Sequence, residues 1–247
     1  MRFEPPLQQG RFLRRYKRFF MDFEGEDGTS HTAHCPNTGS LQGCLEEGAP
    51  VLVQSVDNPQ RKLRYGWKAI QIGGAWVGVD TSISNRLVAD AIAAGHVPQL
   101  AGYDRMISEV RYGRDGGSRI DLLLSRGGVA AGRGKRALYE GDERVYVEVK
   151  NTTLALQKGC AAFPDAVTER GRKHLLELAA VVEQGHRAAM VFCVQRNDCQ
   201  RFVVADEIDP AYGESFRQAL ACGVEAYAFA APVTADGVEL GTPLRIA

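Results

Sequence analysis

The 247-residue sequence has no net charge, no apolar run long enough to cross a membrane, no CxxC pair and no internal repeat. Each absence removes a class of protein. With 30 Lys and Arg against 30 Asp and Glu, the chain is not a general polyanion binder, so any nucleic-acid contact must come from local patches. The most apolar stretch, Ala179 to Val194, is broken by Glu183, His186 and Arg187, which excludes a membrane-spanning helix. Its opening, MRFEPPLQQG, has neither the apolar run of a signal peptide nor the Arg/Ser bias of a transit peptide, so a cytoplasmic location is expected. The six scattered cysteines read as reduced thiols. A zinc set of Cys35, Cys44, His31 and His34 is the sharper alternative, but its spacing matches no common ligand pattern. What is present, 45% hydrophobic and 24% charged residues, suits a globular protein with a sizeable core. The length favours two domains, although one large barrel could also occupy it.

Residues 10–80 carry strand signals. Arg11 to Glu24 is rich in aromatics, Pro50 to Val56 is a short apolar run, and Gly73-Gly74 predicts a tight hairpin turn within Leu63 to Val79. Basic and aromatic residues interleave: Arg11, Arg14, Arg15, Lys17 and Arg18 with Phe12, Tyr16, Phe19 and Phe20, then Arg61, Lys62, Arg64 and Lys68 around Tyr65 and Trp67. Such segments suit a groove that tracks phosphates and stacks unpaired bases; a solvated basic face over a buried aromatic one fits equally well. Short strands with turn signals predict an OB-like β-barrel over residues 1–82. His34, Asn37, Thr38 and Ser40 form a polar loop, suited either to recognition or to satisfying its own backbone.

Residues 83–247 then read as an α/β (α+β) domain. A helix is predicted from Asn85, as N-cap, to Gly95, then strands at Tyr103–Tyr112, Arg119–Ser125 and Val145–Leu154. A helix from about Asp165 to Gln184, a strand at Ala188–Gln195, a helix at Pro210–Ala221 and a strand at Val224–Ala230 follow. The glycine-rich insertion Gly127 to Asp142 is no P-loop, because Val129 stands where glycine is needed and Arg136 where Ser/Thr is. A mobile hairpin tip is expected there, with a DNA contact by Arg133, Lys135 and Arg136 as the alternative.

The chemistry lies in two strands. Asp121 interrupts the apolar run Ile120-Asp121-Leu122-Leu123-Leu124, where an unpaired carboxylate is costly unless it is paired or binds a metal. Glu148 and Lys150 repeat the oddity in Val145-Tyr146-Val147-Glu148-Val149-Lys150, and period-two geometry places both on one face. If the strands are neighbours, Asp121, Glu148 and a backbone carbonyl near Val149 would hold Mg²⁺ or Mn²⁺. The ion would polarise a phosphoryl oxygen and activate water, with Lys150 orienting the nucleophile. This is the PD-(D/E)XK nuclease pattern; a structural salt bridge of Lys150 to either acid is the competing reading. Glu109 is a candidate further metal ligand or an exposed strand residue, and Asp90 is a weaker candidate. Arg170, Lys173 and His174 on the helix after Asp165 are candidates for phosphate positioning, with Gly171 allowing close approach of a partner backbone. Leu175, Leu176, Ala179 and Val182 are the face expected to meet the core. Gln195 either points to the same site or caps an amide.

Several motifs together resemble the sugar fermentation stimulation protein A (SfsA) family. They are Ala33-His34-Cys35-Pro36-Asn37-Thr38-Gly39-Ser40, Leu63-Arg64-Tyr65-Gly66-Trp67, Asn85-Arg86-Leu87-Val88, Val147-Glu148-Val149-Lys150-Asn151 and Phe163-Pro164-Asp165-Ala166-Val167-Thr168-Glu169-Arg170-Gly171-Arg172-Lys173-His174-Leu175. The resemblance spans nearly the whole chain. It implies an OB-like N-terminal domain joined to a PD-(D/E)XK-like domain, DNA binding, and an acid–acid–lysine set at Asp121, Glu148 and Lys150. Two functions remain open: a Mg²⁺- or Mn²⁺-dependent nuclease on DNA or RNA, and a noncatalytic DNA-binding regulator of sugar (maltose) metabolism genes. The three side chains favour the first, and the lack of a helix-turn-helix pattern weighs against the second. The expected nucleic-acid contacts are Arg14, Arg15, Lys17, Arg64, Trp67, His34, Asn37, Arg170, Lys173 and His174, largely blind to sequence. Oligomeric state is left open.

Overall fold

The computed structural model describes residues 1–113, 116–127, 129–131, 138–140 and 143–247, with backbone alone at 129–131 and 138–140. Six strands come first: β1 (Gln8–Tyr16), β2 (Phe20–Gly25), β3 (Ser30–His34), β4 (Pro50–Ser55), β5 (Tyr65–Ile72) and β6 (Ala75–Gly78). Their order is β3-β2-β1-β4-β5-β6, and a parallel β3–β5 pairing through Ala33↔Tyr65 and His34↔Gly66 closes the first five into a barrel. Gly73 and Gly74 form the β5–β6 turn with φ of 57° and 84°, the left-handed region that glycine enters without steric cost. The barrel is filled by alternating residues, among them Phe12, Met21, Phe23, Val51, Val53, Trp67 and Ile70. Trp67 sits at its centre with 0% exposure, stacks on Phe12 at 5.6 Å, and donates its indole N–H to the Ala69 carbonyl at 2.9 Å. A ring so enclosed cannot stack on a base, so the expectation of a nucleic-acid contact at Trp67 is corrected.

The remaining elements are α1 (Ser84–Ala93), β7 (Arg105–Tyr112), β8 (Ser118–Arg126), β9 (Val129–Ala131), β10 (Leu138–Glu140), β11 (Glu143–Thr152), β12 (Ala155–Gln157), β13 (Cys160–Phe163), α2 (Glu169–Glu183), β14 (Arg187–Val194), β15 (Arg201–Val204), α3 (Pro210–Ala221), β16 (Glu225–Ala230) and β17 (Pro243–Ile246). Nine of these strands form one mixed sheet in the order β12-β13-β15-β17-β16-β14-β11-β8-β7, while β9 and β10 pair separately. The sequence pattern missed β12, β13, β15 and β17, whose three or four residues are too few to display a period. Arg133, Lys135 and Arg136 lie outside the described residues.

α1 covers one face of the mixed sheet, with Leu87, Val88, Ala91 and Ile92 packed against Val145, Val147 and Val149. α2 and α3 cover the other, where Leu175, Leu178, Val181, Tyr212 and Phe216 meet Leu123, Tyr146, Met190 and Phe192. Leu176, expected to face the core, is 60% exposed. Both helix starts differ from expectation. α2 is capped by Thr168, whose hydroxyl accepts from Gly171 N, and α1 begins before Asn85 with no side-chain cap. Gly171 lets the helix approach Tyr212, since a Cβ there would lie 3.1 Å from that ring and 2.8 Å from Thr168. Among the described residues no helix is long and apolar enough to cross a membrane. All six cysteines are free, five of them buried.

Barrel and sheet are joined by buried polar bonds. Gly78 N donates to the Gln195 carbonyl at 2.7 Å, and a Cβ at Gly78 would lie 2.3 Å from Gln195 Oε1. Gln195 in turn donates to the Asp80 carbonyl, Ser84 Oγ and Asn151 Oδ1, which places it at this junction and away from the acidic strands. Ser40 Oγ donates to Asp165 Oδ2 at 2.9 Å, so Asp165, where the helix was expected to begin, instead anchors the loop after β3. Residues 1–3 run against 236–238, with Phe3 N donating to the Asp236 carbonyl at 3.1 Å. Trp67→Ala should lower stability by about 3–5 kcal/mol through the cavity left in the barrel. A thermal melt followed by circular dichroism reads this as a depressed Tm, and an unchanged Tm would contradict the core role.

Candidate active site

β8 and β11 pair antiparallel from Arg126↔Glu143 to Leu122↔Val147, and there the regular pairing stops. The next positions are Asp121 and Glu148. The Asp121 side chain takes over the backbone's work: Oδ2 accepts from Val149 N at 2.7 Å, and Oδ1 accepts from Asn85 Nδ2 of α1 at 2.8 Å. On the other side of β8, the β7 register runs from Ser108↔Leu122 to Val110↔Ile120 without a pair between Glu109 and Asp121. Glu109 has φ 60°, a left-handed conformation that a glutamate rarely adopts. Asp121 thus sits at a break in the ladder on both flanks. Period two sets Glu148 on the face of Tyr146, toward α2, and Asp121, at the break, meets Asn85 of α1 while lining the same cavity as Arg170 and His174 of α2.

Glu148 is 3% exposed. Its Oε1 accepts from Lys150 Nζ at 2.6 Å and bonds to His174 Nδ1, while Oε2 has no partner among the described residues. Arg170 Nε donates to the far nitrogen of His174 at 3.4 Å, one helical turn away on α2. Burial pushes the Glu148 carboxyl up, but the bonds to His174 and the charge of Lys150 outweigh it and hold it below the ordinary glutamate range. Asp121 goes the other way. Burial and the neighbouring Glu148 raise it, and the bonds from Val149 and Asn85 only partly offset them.

The two carboxylates open on a cavity of about 560 Å³, lined also by Glu109, Arg111, Arg119, Arg170, Lys173 and His174. The cations around it would offset the charge of a phosphodiester. Of the residues expected here, Asp121, Glu148, Lys150, Arg170, Lys173 and His174 converge. Glu109 reaches the cavity wall, but its exposed carboxylate is 3.4 Å from Arg119, and among the described residues no three His, Cys, Asp or Glu side chains are grouped to hold a metal. Of the two readings of Glu109, this pairing favours the exposed strand residue over the further metal ligand, and the alternative of a zinc set at Cys35, Cys44, His31 and His34 finds no such grouping among the described residues. Asp90 pairs with Arg86 on the exposed side of α1. Arg111, Arg119 and Asn85 were missed. Arg119 lies two residues before Asp121 and so shares its strand face, a signal the pattern held; Asn85 reads as a cap until α1 is docked on β8.

The donor set fits a hard divalent ion. Two carboxylates, one with a buried oxygen that has no partner among the described residues, are what Mg²⁺ commonly takes from a protein, waters and substrate phosphate supplying the other positions.

The barrel residues lie elsewhere. Arg14 is exposed, donates to Asp22 at 2.9 Å and lies over the Tyr16 ring; Lys17 and Arg64 are exposed. Arg15 donates to the carbonyls of Arg18, Asn37, Gly39 and Ser40 and so ties the β1–β2 turn to the loop after β3. Asn37 is buried, its Oδ1 accepting from Gly39 N at 2.7 Å, so it builds the turn rather than a contact surface. His34, half-buried, ends β3 against β5.

An OB-type barrel followed by a mixed sheet that gathers an aspartate, a glutamate and a lysine at a broken ladder defines the PD-(D/E)XK-like class of two-part proteins. Within it, this chain belongs to the sugar fermentation stimulation protein family. Residues 13–79 match the SfsA N-terminal OB domain and residues 82–237 the sugar fermentation stimulation protein RE domain. The sugar fermentation stimulation protein homolog of Thioalkalivibrio sulfidiphilus is 48% identical over 246 residues, covering 100% of this chain and 98% of that one. That of Geobacter sulfurreducens is 48% identical over 241 residues, covering 98% and 96%. The structure of Pyrococcus furiosus SfsA in complex with Ca²⁺ is similar with a TM-score of 0.83 and 25% identity, over 100% of this chain and 98% of that one.

His174→Ala should destabilise the fold by about 1.5–3 kcal/mol, because a buried carboxylate loses a hydrogen bond. The sign with pH follows from Glu148 lying below its ordinary range: its stabilisation is full above the ordinary glutamate pKa and is lost as pH falls through the lowered one. Denaturant melts should therefore show the full loss at pH 7 and a progressively smaller one as pH falls below the ordinary glutamate range. A loss that does not shrink with falling pH would exclude this coupling.

Proposed function

We propose that the chain is a divalent-metal-dependent phosphodiesterase acting on nucleic acid, with Asp121, Glu148 and Lys150 at its centre. The observation that carries this reading is the buried Oε2 of Glu148, without a partner among the described residues, beside Asp121 in a cavity rimmed by Arg111, Arg119, Arg170 and Lys173. A buried carboxylate oxygen without a partner is costly and needs a compensating ligand. The Ca²⁺ complex of the Pyrococcus furiosus relative supports a divalent ion in the same family. Bound by Asp121 and Glu148, Mg²⁺ or Mn²⁺ would supply Lewis acidity to the phosphoryl oxygen and the attacking water.

The chain's own residues do the rest. Arg111, Arg119, Arg170 and Lys173 draw the phosphodiester in. His174 and Lys150 fix Glu148, and the Lys150 ammonium stabilises negative charge that develops as the phosphorus is attacked. Asn85 and Val149 N hold Asp121 in place. On the barrel, exposed Arg14, Lys17, Arg18 and Arg64, together with the exposed ring of Phe19, offer phosphate and stacking contacts without base-edge reading.

Labelled single- and double-stranded DNA and RNA, incubated with Mg²⁺, Mn²⁺, Ca²⁺ or EDTA, test the proposal. Cleavage should appear with Mg²⁺ or Mn²⁺ and vanish in Asp121→Ala and Glu148→Ala, while Lys150→Ala loses rate with little change in metal affinity. Binding without cleavage in every condition would favour the noncatalytic regulator. Calorimetric titration with Ca²⁺ adds a pH test. Asp121 keeps its proton to higher pH than an ordinary aspartate, so affinity should fall about tenfold per pH unit once below that raised value.

The barrel makes a separate prediction. Replacing Arg14, Lys17 and Arg18 by Ala should flatten the slope of log affinity against log salt by about 0.9 for each phosphate of duplex DNA no longer neutralised. Arg15→Ala should lower Tm instead, since its guanidinium serves four carbonyls; an unchanged slope in the triple variant would remove the barrel from the interface.

A further inference from the structure

Among the described residues, four that are not glycine have a left-handed backbone: Lys17 at φ 48°, Arg18 at 63°, Leu41 at 51° and Glu109 at 60°. A residue with a Cβ adopts this conformation at a cost in free energy, and such residues collect where function holds them. Lys17 and Arg18 form the β1–β2 turn, which leaves both of them and the ring of Phe19, 49% exposed, at the surface. That turn is fixed in place. Arg15 donates to the carbonyls of Arg18 at 3.2 Å, Asn37 at 2.8 Å and Gly39 at 2.9 Å, and Cys35 N donates to the Phe19 carbonyl at 2.8 Å. Ser40 Oγ and Leu41 N of the same loop donate to Asp165. Soon after Asp165, α2 begins at Glu169, and its Arg170 and Lys173 wall the cavity that Glu109 also lines. An unbroken chain of contacts therefore runs from the hairpin to the Asp121–Glu148 site, with a left-handed residue at its start, middle and end. The stretch that joins loop to cavity exposes Val167 at 69% and then carries Arg170, Arg172 and Lys173 against the exposed Glu169.

We propose that this line is one binding track for a single nucleic-acid strand, held by the β1–β2 hairpin at one end and by the Asp121–Glu148 cavity at the other. The proposal rests on the nucleic-acid reading of that cavity, and adds the strandedness of its substrate and Val167 as a residue over which the strand passes. Cations at both ends are spaced by the exposed apolar groups of Phe19 and Val167. An unpaired strand offers phosphates to the first and base faces to the second, whereas a duplex turns its base faces inward. Contact at one end places the strand beside the other at high effective concentration, so affinity rises sharply once a strand is long enough to span both. Two independent sites, each filled by its own strand, give no such step.

The test titrates the full chain in Ca²⁺ with single DNA strands from a dinucleotide up to about sixteen nucleotides, the upper range of single-strand sites on OB barrels, and with duplexes of the longer lengths. Single-strand affinity should step up about a hundredfold at one length, and duplex affinity by less. Phe19→Ala should lower the ratio of long-strand to short-strand affinity about fivefold or more, the loss of one stacked base. Val167→Glu should lower that ratio roughly two- to fivefold at low salt, the repulsion of unit charges about 4–8 Å apart in water, and Val167→Lys should raise it. Val167 is exposed, so both of its variants should melt as the wild type does, and the wild-type step needs no variant at all. Affinity that climbs smoothly with length, an equal step for duplex, or a ratio that Val167→Glu and Val167→Lys move alike or not at all overturns the proposal. Cleavage without the step would remove the track and leave the phosphodiesterase; the step without cleavage would do the reverse.

Discussion

A single buried carboxylate, Glu148, constrains the architecture around it. β11 lies between β8 and β14 and beneath α2, so a glutamate on its α2 face is almost wholly buried. Its charge survives only because His174 from the overlying helix and Lys150 from the same strand face both meet one of its oxygens. The other oxygen has no partner among the described residues, and the neighbouring strand departs from regular pairing at the same point. Asp121 gives its side chain to the Val149 amide, and Glu109 turns into a left-handed conformation. Three irregularities at one place in the sheet are expensive, and they share one rationale: they keep two acids side by side on the floor of a polar cavity.

The barrel follows another logic. Its arginines and aromatics look alike in sequence but divide into two groups in space. Arg14, Lys17, Arg18 and Phe19 stay at the surface of the β1–β2 hairpin, whereas Arg15 is consumed by backbone carbonyls and Trp67 by the core. The loop after β3 is likewise turned inward. Asn37 closes it, and Ser40 fastens it to Asp165, so two motifs far apart in the chain become one contact that fixes the barrel against the sheet. Their shared role is to hold two surfaces in register, with the Gln195 bonds to Asp80, Ser84 and Asn151 as the buried counterpart.

Where local pattern misled, the side chain had two uses and the fold chose the distant one. Asn85 and Asp165 are residue types that cap helices, and each stands where a cap is expected. Docking α1 on β8 offered Asn85 the Asp121 carboxylate, and closing the barrel against the sheet offered Asp165 the Ser40 hydroxyl; no local period encodes either partner. The arginines of the cavity wall show the opposite case. Arg119 shares its strand face with Asp121 by alternation alone, and only the neighbouring β7 strand brings Arg111 beside it.

By itself the sequence determined which residue types could do chemistry and on which elements they ride. Acids inside apolar strands, a lysine two residues beyond one of them, and a basic turn of helix after Asp165 are local facts, written in periods of two and 3.6 residues. The closed barrel and the long central strands were legible for the same reason, whereas β12, β13, β15 and β17 were not, being held by pairing partners rather than by their own pattern. Tertiary structure alone decided which side chains are spent. It buried Trp67, tied down Arg15, left Oε2 of Glu148 without a partner among the described residues, and gathered Arg111, Arg119, Arg170 and Lys173 around one cavity. Those outcomes depend on which surfaces meet once helices and strands pack, and burial, unlike hydrophobic period, is a property of the whole assembly.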